Sequence, residues 1–319
     1  MPWYSIVILC VFELAALYFI FAAIVAKIVL KQATRPPAHT FAEARERQHS
    51  AEHVSFYDYD SVWQKQPFSI DGLQGKVCGE VVFNPADANN TRHKVAIFCH
   101  GHTWNRLNSI KYATIFYNVG YNLVLYDHAS FGESEGTYTT LGYFERRDLS
   151  GVIDYAQKGF GKDCFVALHG ESMGAATALG VLDLRDDVNL VIADCSYSKT
   201  MAYYRELCPR QVHLPSFPIV DFANMESKYK MKYDFKAFNP IDCVKVSQTP
   251  ICFIHGTDDQ FILPHNSEDM FAATKNKLSE LHLIHGAGHA RSFRADNAAY
   301  TQIVLGFLAK VEQSTDLTK

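Results

Sequence analysis

Short apolar runs alternate with amphipathic segments along most of the chain, and this pattern predicts alternating strands and helices. Most of the runs are continuously apolar, which is typical of parallel strands covered on both faces. Segments with helical periodicity lie between them, so the pattern predicts an α/β fold with a mostly parallel, doubly wound sheet. The runs are 95–101, 122–127, 164–170, 190–196, 250–256 and 280–286.

Two segments depart from this rhythm. The sequence FSIDGLQGKVCGEVVFN (68–84) has turn residues between two β-rich runs, which predicts antiparallel strands at the start of the sheet. The interval 197–249 is long and rich in Tyr, Phe, Lys and Pro, and it predicts a small inserted cap.

The N-terminus is the most hydrophobic part of the chain. Residues 5–26 carry Glu13 as their only charge, and 22 residues in a helix are long enough to cross about 30 Å of hydrocarbon. Flanking residues suit the membrane interface: Trp3 and Tyr4 before the stretch, Lys27 and Lys31 after it. We predict an uncleaved transmembrane anchor over 1–31. A signal peptide and a buried soluble helix are the alternatives, and the cost of Glu13 in lipid is the main argument against an anchor.

Residues 32–64 are polar and contain Pro36 and Pro37, which predicts a juxtamembrane linker and helical lead-in before a folded domain over 65–319. The 319-residue chain is 48% hydrophobic and 20% charged, as expected of a protein with a sizeable core. Its net charge of −4 gives no indication of nucleic acid as a partner.

Charge and cysteine usage predict that the folded domain faces the cytoplasm. Lys27, Lys31 and Arg35 follow the apolar stretch and no Lys or Arg precedes it. Four of the eight cysteines lie in predicted core strands, where they resemble free thiols of a reducing compartment: Cys99, Cys164, Cys195 and Cys252. Long domains can nevertheless be translocated whatever their flanking charges.

The run FVALHGESMG (165–174) ends in a serine between two glycines, where a core strand meets a helix. A serine becomes a good nucleophile when a base removes its proton and its oxygen stands clear of the backbone. A sharp strand-to-helix turn presents the oxygen in this way, and Gly170 and Gly174 relieve the crowding that the turn creates. Ser172 is therefore the predicted nucleophile.

A nucleophilic serine needs a histidine base and a carboxylate that holds the histidine tautomer. In folds of this kind the acid and then the histidine follow the serine along the chain. The segment PICFIHGTDDQFILP offers Asp259 as the acid, with Asp258 as the alternative, and His289 follows a glycine-rich loop after the last predicted strand.

The segments CHGHTWNR, LYDHASFGESEG, HGESMG, HGTDDQFILP and GAGHARS occur in this order. Together they resemble the α/β-hydrolase superfamily, in particular its bacterial esterase and prolyl-oligopeptidase-like branches, over about residues 65–311. The resemblance implies a serine hydrolase without a cofactor, whose oxyanion hole uses the backbone N–H groups of His102 and Met173. The family often has D-x-R-G-x-G-x-S after the next strand, whereas Ala129 and Ser130 stand here in place of Arg and Gly.

The function predicted is cleavage of a carboxylic ester, or a related acyl bond, through an acyl-enzyme intermediate. The alternatives are a peptidase or amidase, with Asp221 or Glu226 as a possible anchor for a substrate amine, an acyltransferase or thioesterase, and a noncatalytic binding protein. The expected partners are a small ester or short peptide substrate and the membrane.

Metal chemistry is not expected. His282, His285 and His289 have a suggestive spacing, but residues 282 and 285 of a strand point to opposite faces. His100, His169 and His255 each precede a glycine at a strand end, where local hydrogen bonding is the expected role.

Overall fold

The computed structural model describes residues 2–316. Within them one sheet of eight strands has the order β1-β2-β4-β3-β5-β6-β7-β8. The strands are β1 (Gln64–Gly72), β2 (Gly75–Phe83), β3 (Lys94–Cys99), β4 (Asn122–Tyr126), β5 (Phe165–Glu171), β6 (Leu190–Asp194), β7 (Ile251–Gly256) and β8 (Glu280–Ile284).

The helices follow the predicted alternation with the strands. They are α1 (Trp3–Thr34), α2 (Phe41–Glu52), α3 (Ile110–Tyr117), α4 (Glu145–Phe160), α5 (Met173–Gly180), α6 (Thr200–Gln211), α7 (Ser216–Met231), α8 (Pro240–Val246), α9 (His265–Ala273), α10 (Ser292–Ala295) and α11 (Asn297–Asp316).

The direction of the strands confirms the predicted mostly parallel sheet with antiparallel strands at its start. Strand β2 pairs antiparallel with both β1 and β4. From β4 onward every neighbouring pair is parallel, with β3 and β5 at the centre. The carboxyl ends of β3, β5, β6 and β7 therefore lie along one edge, which is where ligands bind in open α/β sheets.

Two hydrophobic layers cover the faces of this sheet, and strand β3 shows how the sequence divides between them. Val95 and Ile97 pack in one layer, with side chains of α4, α5 and α9. Ala96 and Phe98 pack in the other, with side chains of α3 and α11. From Val95 onward every residue of the strand is apolar because both of its faces are buried, which explains the continuous apolar runs.

The chain forms two compact units. One comprises the chain up to Pro36 together with Thr200–Phe238, and the other comprises Pro37–Lys199 together with the chain from Asn239 onward. The predicted cap, 197–249, contributes α6 and α7 to the first unit and α8 to the second. The predicted domain boundaries at residues 31 and 64 stay predictions.

In the first unit, α7 packs against both α1 and α6. Helix α1 has 32 residues and is the one helix of the described chain that is long and apolar enough to cross a membrane.

Candidate active site

The predicted nucleophile Ser172 lies in the turn between β5 and α5. Its backbone has φ 57° and ψ −116°, a strained conformation for a residue with a side chain. A Cβ at Gly174 would collide with the carbonyl oxygen of Cys99, and a Cβ at Gly170 would collide with the backbone of Gly174. The two glycines therefore allow the close backbone approach that the sharp turn at Ser172 requires.

A chain of hydrogen bonds joins the predicted serine, histidine and acid. Ser172 Oγ lies 2.9 Å from His289 Nε2, and His289 Nδ1 lies 2.7 Å from Asp259 Oδ2. An ionised carboxylate only accepts hydrogen bonds, so Nδ1 carries the imidazole proton and Nε2 is the acceptor that faces the serine hydroxyl.

The alternative acid is placed elsewhere. Asp258 is exposed and accepts a hydrogen bond from Thr257 Oγ1 at 3.0 Å. Asp259 is fully buried. In addition to the hydrogen bond with His289, its carboxylate accepts hydrogen bonds from the backbone N–H groups of Phe261 and Ile262 at 2.8 and 2.9 Å. The geometry therefore pairs His289 with Asp259 rather than with Asp258.

A second histidine, His255, supports the acid. Its Nε2 lies 3.2 Å from Asp259 Oδ2 and 2.9 Å from the carbonyl oxygen of Ile262, and its Nδ1 lies 2.7 Å from Ser267 Oγ. Burial alone would raise the pKa of Asp259, but hydrogen bonds from His255 and His289 outweigh burial and hold that pKa well below its usual range. Asp259 is therefore ionised at neutral pH.

The other two strand-end histidines also make local hydrogen bonds. His100 Nδ1 donates to the carbonyl oxygen of Gly101 at 2.8 Å, and His169 Nε2 is 3.0 Å from the hydroxyl of Tyr300. Burial lowers the pKa of His100 to about 4 and that of His169 to about 3. Both imidazoles are therefore neutral parts of the core at physiological pH.

The two residues expected to form an oxyanion hole follow neighbouring strands. Met173 is the first residue of α5, and the first hydrogen bond of that helix runs from Ala176 N–H to Ser172 O at 3.1 Å. The N–H of Met173 thus precedes the helical hydrogen-bond ladder. His102 follows β3, which pairs with β5 through Cys99 and Gly170. The loop that carries His102 and the helix N-terminus that carries Met173 therefore lie at the same edge of the sheet.

Ala129 and Ser130, which differ from the family's usual Arg and Gly, lie in the loop after β4. Ser130 has φ 74°, so this serine adopts the left-handed conformation that glycine favours. An arginine reaches the preceding Asp127 from another loop, because Arg106 pairs with its carboxylate through both the backbone N–H and the guanidinium. Asp127 is thus held by an arginine from outside the loop that contains Ala129 and Ser130.

A buried network lies directly behind the nucleophile and was not expected from the sequence. Glu171 accepts hydrogen bonds from Asn108 Nδ2 at 2.9 Å and from the Tyr112 hydroxyl at 2.7 Å. Lys111 Nζ, fully buried, lies 3.0 Å from Glu171 Oε2 and 3.8 Å from Glu52 Oε1. The residue before Ser172 is therefore held by an ion pair in the interior.

This ion pair sets the charge of Glu171. Burial would raise the pKa of Glu171, but the Lys111 charge and the hydrogen bond from Tyr112 outweigh burial and hold the pKa at about 2, against an ordinary value of 4.5. Because the pKa is lower in the folded state, ionised Glu171 stabilises the fold above pH 4.5. That stabilisation is lost as the pH falls through about 2.

We expect Lys111→Met to lower the free energy of unfolding by about 3–5 kcal/mol, because Glu171 would be left buried and charged without its partner. The measurement is the thermal midpoint of the full chain in detergent at neutral pH. The double variant Lys111→Met/Glu171→Gln removes both charges and should recover part of the loss. A single variant as stable as wild type, or a double variant less stable than the single one, would contradict the assignment.

Two groups of described residues have donor atoms close enough to share a metal ion: Cys195, Asp259 and His289, and Cys252, Glu280 and His282. Burial raises the pKa of both thiols well above the usual value, which disfavours the thiolate form that binds metals. Glu280 also pairs with Lys310 at 2.7 Å. The donor chemistry of both groups is therefore better suited to hydrogen bonding.

Two protein families match the chain and define its class. The prolyl oligopeptidase family matches residues 131–315, and the X-Pro dipeptidyl-peptidase (S15 family) matches residues 34–221. Each match covers more than half of the chain. The chain belongs to the α/β-hydrolase superfamily of serine hydrolases, on the branch that includes these two families.

Individual proteins are similar to this chain over most of its length. The uncharacterized protein YqkD of Bacillus subtilis (strain 168) is 30% identical over 269 residues, covering 83% of this chain and 85% of the relative. Among solved structures, the Pyrococcus furiosus esterase Pf2001 is similar with a TM-score of 0.64 at 20% identity, over 81% of this chain and 96% of that chain. The Pyrococcus horikoshii acylaminoacyl peptidase has a TM-score of 0.56 at 14% identity, over 76% of this chain and 40% of that chain.

Proposed function

We propose that the protein is a membrane-anchored serine hydrolase that cleaves carboxylic esters, with Ser172 as nucleophile, His289 as base and Asp259 as the orienting acid. The observation that carries this proposal is the continuous path from Ser172 Oγ to His289 Nε2 and from His289 Nδ1 to Asp259 Oδ2, at 2.9 and 2.7 Å. Both distances are short enough for proton transfer and for fixing the tautomer.

In the proposed reaction, Ser172 Oγ attacks the acyl carbon while His289 Nε2 takes the hydroxyl proton. Asp259 stabilises the imidazolium that forms and keeps Nε2 facing the serine. The N–H groups of His102 and Met173 bind the oxyanion, and each such donor is worth about 2.7–4 kcal/mol of transition-state stabilisation. His289 then protonates the leaving alcohol. Water, activated by the same histidine, releases the acid from the acyl-enzyme.

An ester substrate is favoured over a peptide by the extent of structural similarity. The chain covers 96% of the P. furiosus esterase, and 40% of the P. horikoshii peptidase. The two acidic residues considered as anchors for a substrate amine are already paired, Asp221 with Arg205 and Glu226 with Lys230. A peptidase or amidase remains the second candidate because both matching families are peptidases.

The test is a panel of acyl esters, aminoacyl arylamides and acyl thioesters assayed with wild type and with Ser172→Ala. We expect the esters to give the highest kcat/KM, and the Ser172→Ala variant to lose that activity. A higher kcat/KM for arylamides would favour the peptidase. A higher value for thioesters would favour a thioesterase or acyltransferase.

The anchor itself is part of the proposal. Helix α1 is apolar over residues 5–26. Its most apolar stretch of 18 residues is almost entirely exposed, as expected of a helix surrounded by lipid. We propose that it remains in the protein rather than being removed as a signal sequence, and that the hydrolase domain faces the cytoplasm because Lys27, Lys31 and Arg35 all follow the span. The eight cysteines are all free, in agreement with a reducing compartment.

Orientation is tested by protease treatment of intact cells. The hydrolase domain should survive until the cells are lysed. Digestion of the domain before lysis would place it outside and contradict the proposed orientation.

A further inference from the structure

Helix α1 has two halves with different surroundings. From Trp3 to Phe21 nearly every side chain is exposed, although only Glu13 is charged. From Ala22 onward the helix buries one face, at Ala22, Ala26, Leu30 and Thr34. The first half has 19 residues and is about 28 Å long, close to the thickness of a bilayer's hydrocarbon core. The exposed half is therefore the part that matches a membrane span.

Helix α7 of the same compact unit contacts the exposed half. The Tyr18 hydroxyl donates to the carbonyl oxygen of Phe217 at 3.2 Å, and the rings of Phe19 and Phe222 meet edge to face at 6.2 Å. Phe217 is itself 65% exposed. An exposed phenylalanine thus lies beside a residue of the proposed span. It has an extended backbone and directly precedes the regular part of α7, in the inserted segment 197–249.

We propose that Phe217 enters the same lipid leaflet as the last turn of the exposed half of α1, so that the inserted segment contacts the membrane directly. The partner is the bilayer at the boundary between acyl chains and headgroups. The inference rests on the proposed membrane anchor. Beyond the contact that α1 makes with the bilayer, the inference adds a second one, made by Phe217 about 200 residues further along the chain.

The depth of this contact follows from the neighbouring charges. Tyr18 lies three residues, or about 5 Å, before the end of the exposed half at Phe21. Asp221, four residues after Phe217 in the sequence, forms a partly exposed ion pair with Arg205 at 3.0 Å. Such a pair belongs in the hydrated headgroup layer rather than in hydrocarbon. Phe217 is therefore expected in the shallow part of the acyl-chain region, the depth to which Phe, Trp and Leu side chains of interfacial helices insert.

The test uses tryptophan fluorescence of the full chain reconstituted in vesicles whose lipids are brominated near the headgroup end of their acyl chains. Phe217→Trp and, as the matched control, Tyr229→Trp are both made in a Trp3→Phe background, which removes the tryptophan at the other end of the span. Tyr229 is 79% exposed on the same helix but lies between Lys228 and Lys230, whose exposed charges belong outside the acyl-chain region.

We expect the bromines to quench the added tryptophan at position 217 and to leave the one at position 229 unquenched. Equal quenching at the two positions, or none at 217, would overturn the inference. Alkaline carbonate washing of membranes separates this failure from failure of the anchor. Wild type that resists the wash while position 217 is unquenched refutes the second contact alone. Wild type released by the wash refutes the anchor and the second contact together.

Discussion

Replacing Ser172 with alanine is expected to lower kcat for ester hydrolysis by about 10⁴–10⁶-fold, because the variant has no nucleophile and the remaining groups provide only binding and oxyanion stabilisation. Folding should be almost unchanged. Both serine and alanine carry a Cβ and meet the same strain at φ 57°, and the lost hydroxyl makes its contact at the partly open end of the site, with His289. The measurement is kcat with the best ester of the panel, together with the thermal midpoint.

The matched control is Ser196→Ala. Ser196 is a buried serine just beyond β6, the strand next to the one that carries Ser172, and its hydroxyl bonds only locally, to the carbonyl oxygen of Tyr197 at 3.0 Å. Its removal should leave kcat within a few-fold of wild type. Ser172→Ala with near-wild-type kcat, or a loss as large in Ser196→Ala, would show that the activity does not depend on the hydroxyl at position 172.

Asp259→Asn is expected to lower kcat by about 10⁴-fold, the order of magnitude found when a triad aspartate is made neutral. The asparagine amide N–H can donate to an unprotonated Nδ1, which places the imidazole proton on Nε2. Alternatively, the amide oxygen can accept from Nδ1–H, which leaves the charge of the imidazolium unbalanced. Either arrangement impairs the base. The measurement is kcat for wild type, Asp259→Asn and Asp258→Asn at one neutral pH, where the lowered pKa of Asp259 keeps the wild-type carboxylate ionised.

Asp258→Asn provides a control with the same chemical change one residue away. Its carboxylate is exposed and bonds to the Thr257 hydroxyl, so kcat should stay within a few-fold of wild type. If Asp258→Asn were the more damaging substitution, the acid would have to be reassigned.

Much of the fold was predictable because its signals are local in the sequence. Continuous apolar runs predict strands that are buried on both faces. In β3, alternate side chains pack into the two hydrophobic layers on opposite faces of the sheet. Gly170 and Gly174 indicated a sharp turn at Ser172, where neighbouring backbone segments come too close for a residue with a Cβ. The order of serine, acid and histidine then indicated His289, and Asp259 with Asp258 as the alternative, without any knowledge of distances.

The supporting residues could not be predicted in the same way, because their pairing depends on tertiary contacts. Lys111 lies on a helix whose neighbours are apolar, and only the folded chain brings it to Glu171, 60 residues away. The sequence around His255 does not distinguish it from the other histidines at strand ends. Its contact with the Asp259 carboxylate depends on the conformation of the loop between the two residues. The contact of Tyr18 with Phe217 joins segments about 200 residues apart, which no local pattern signals.

Covalent labelling by a fluorophosphonate tests the central claim most directly, since this reagent reacts with a serine only when its hydroxyl is activated. Intact-mass measurement and peptide mapping of the wild-type protein should show one adduct, on Ser172. Labelling should be lost in Ser172→Ala, strongly slowed in Asp259→Asn and unchanged in Ser196→Ala. An adduct on another serine, or labelling that persists in Ser172→Ala, would contradict the assignment of Ser172 as the nucleophile.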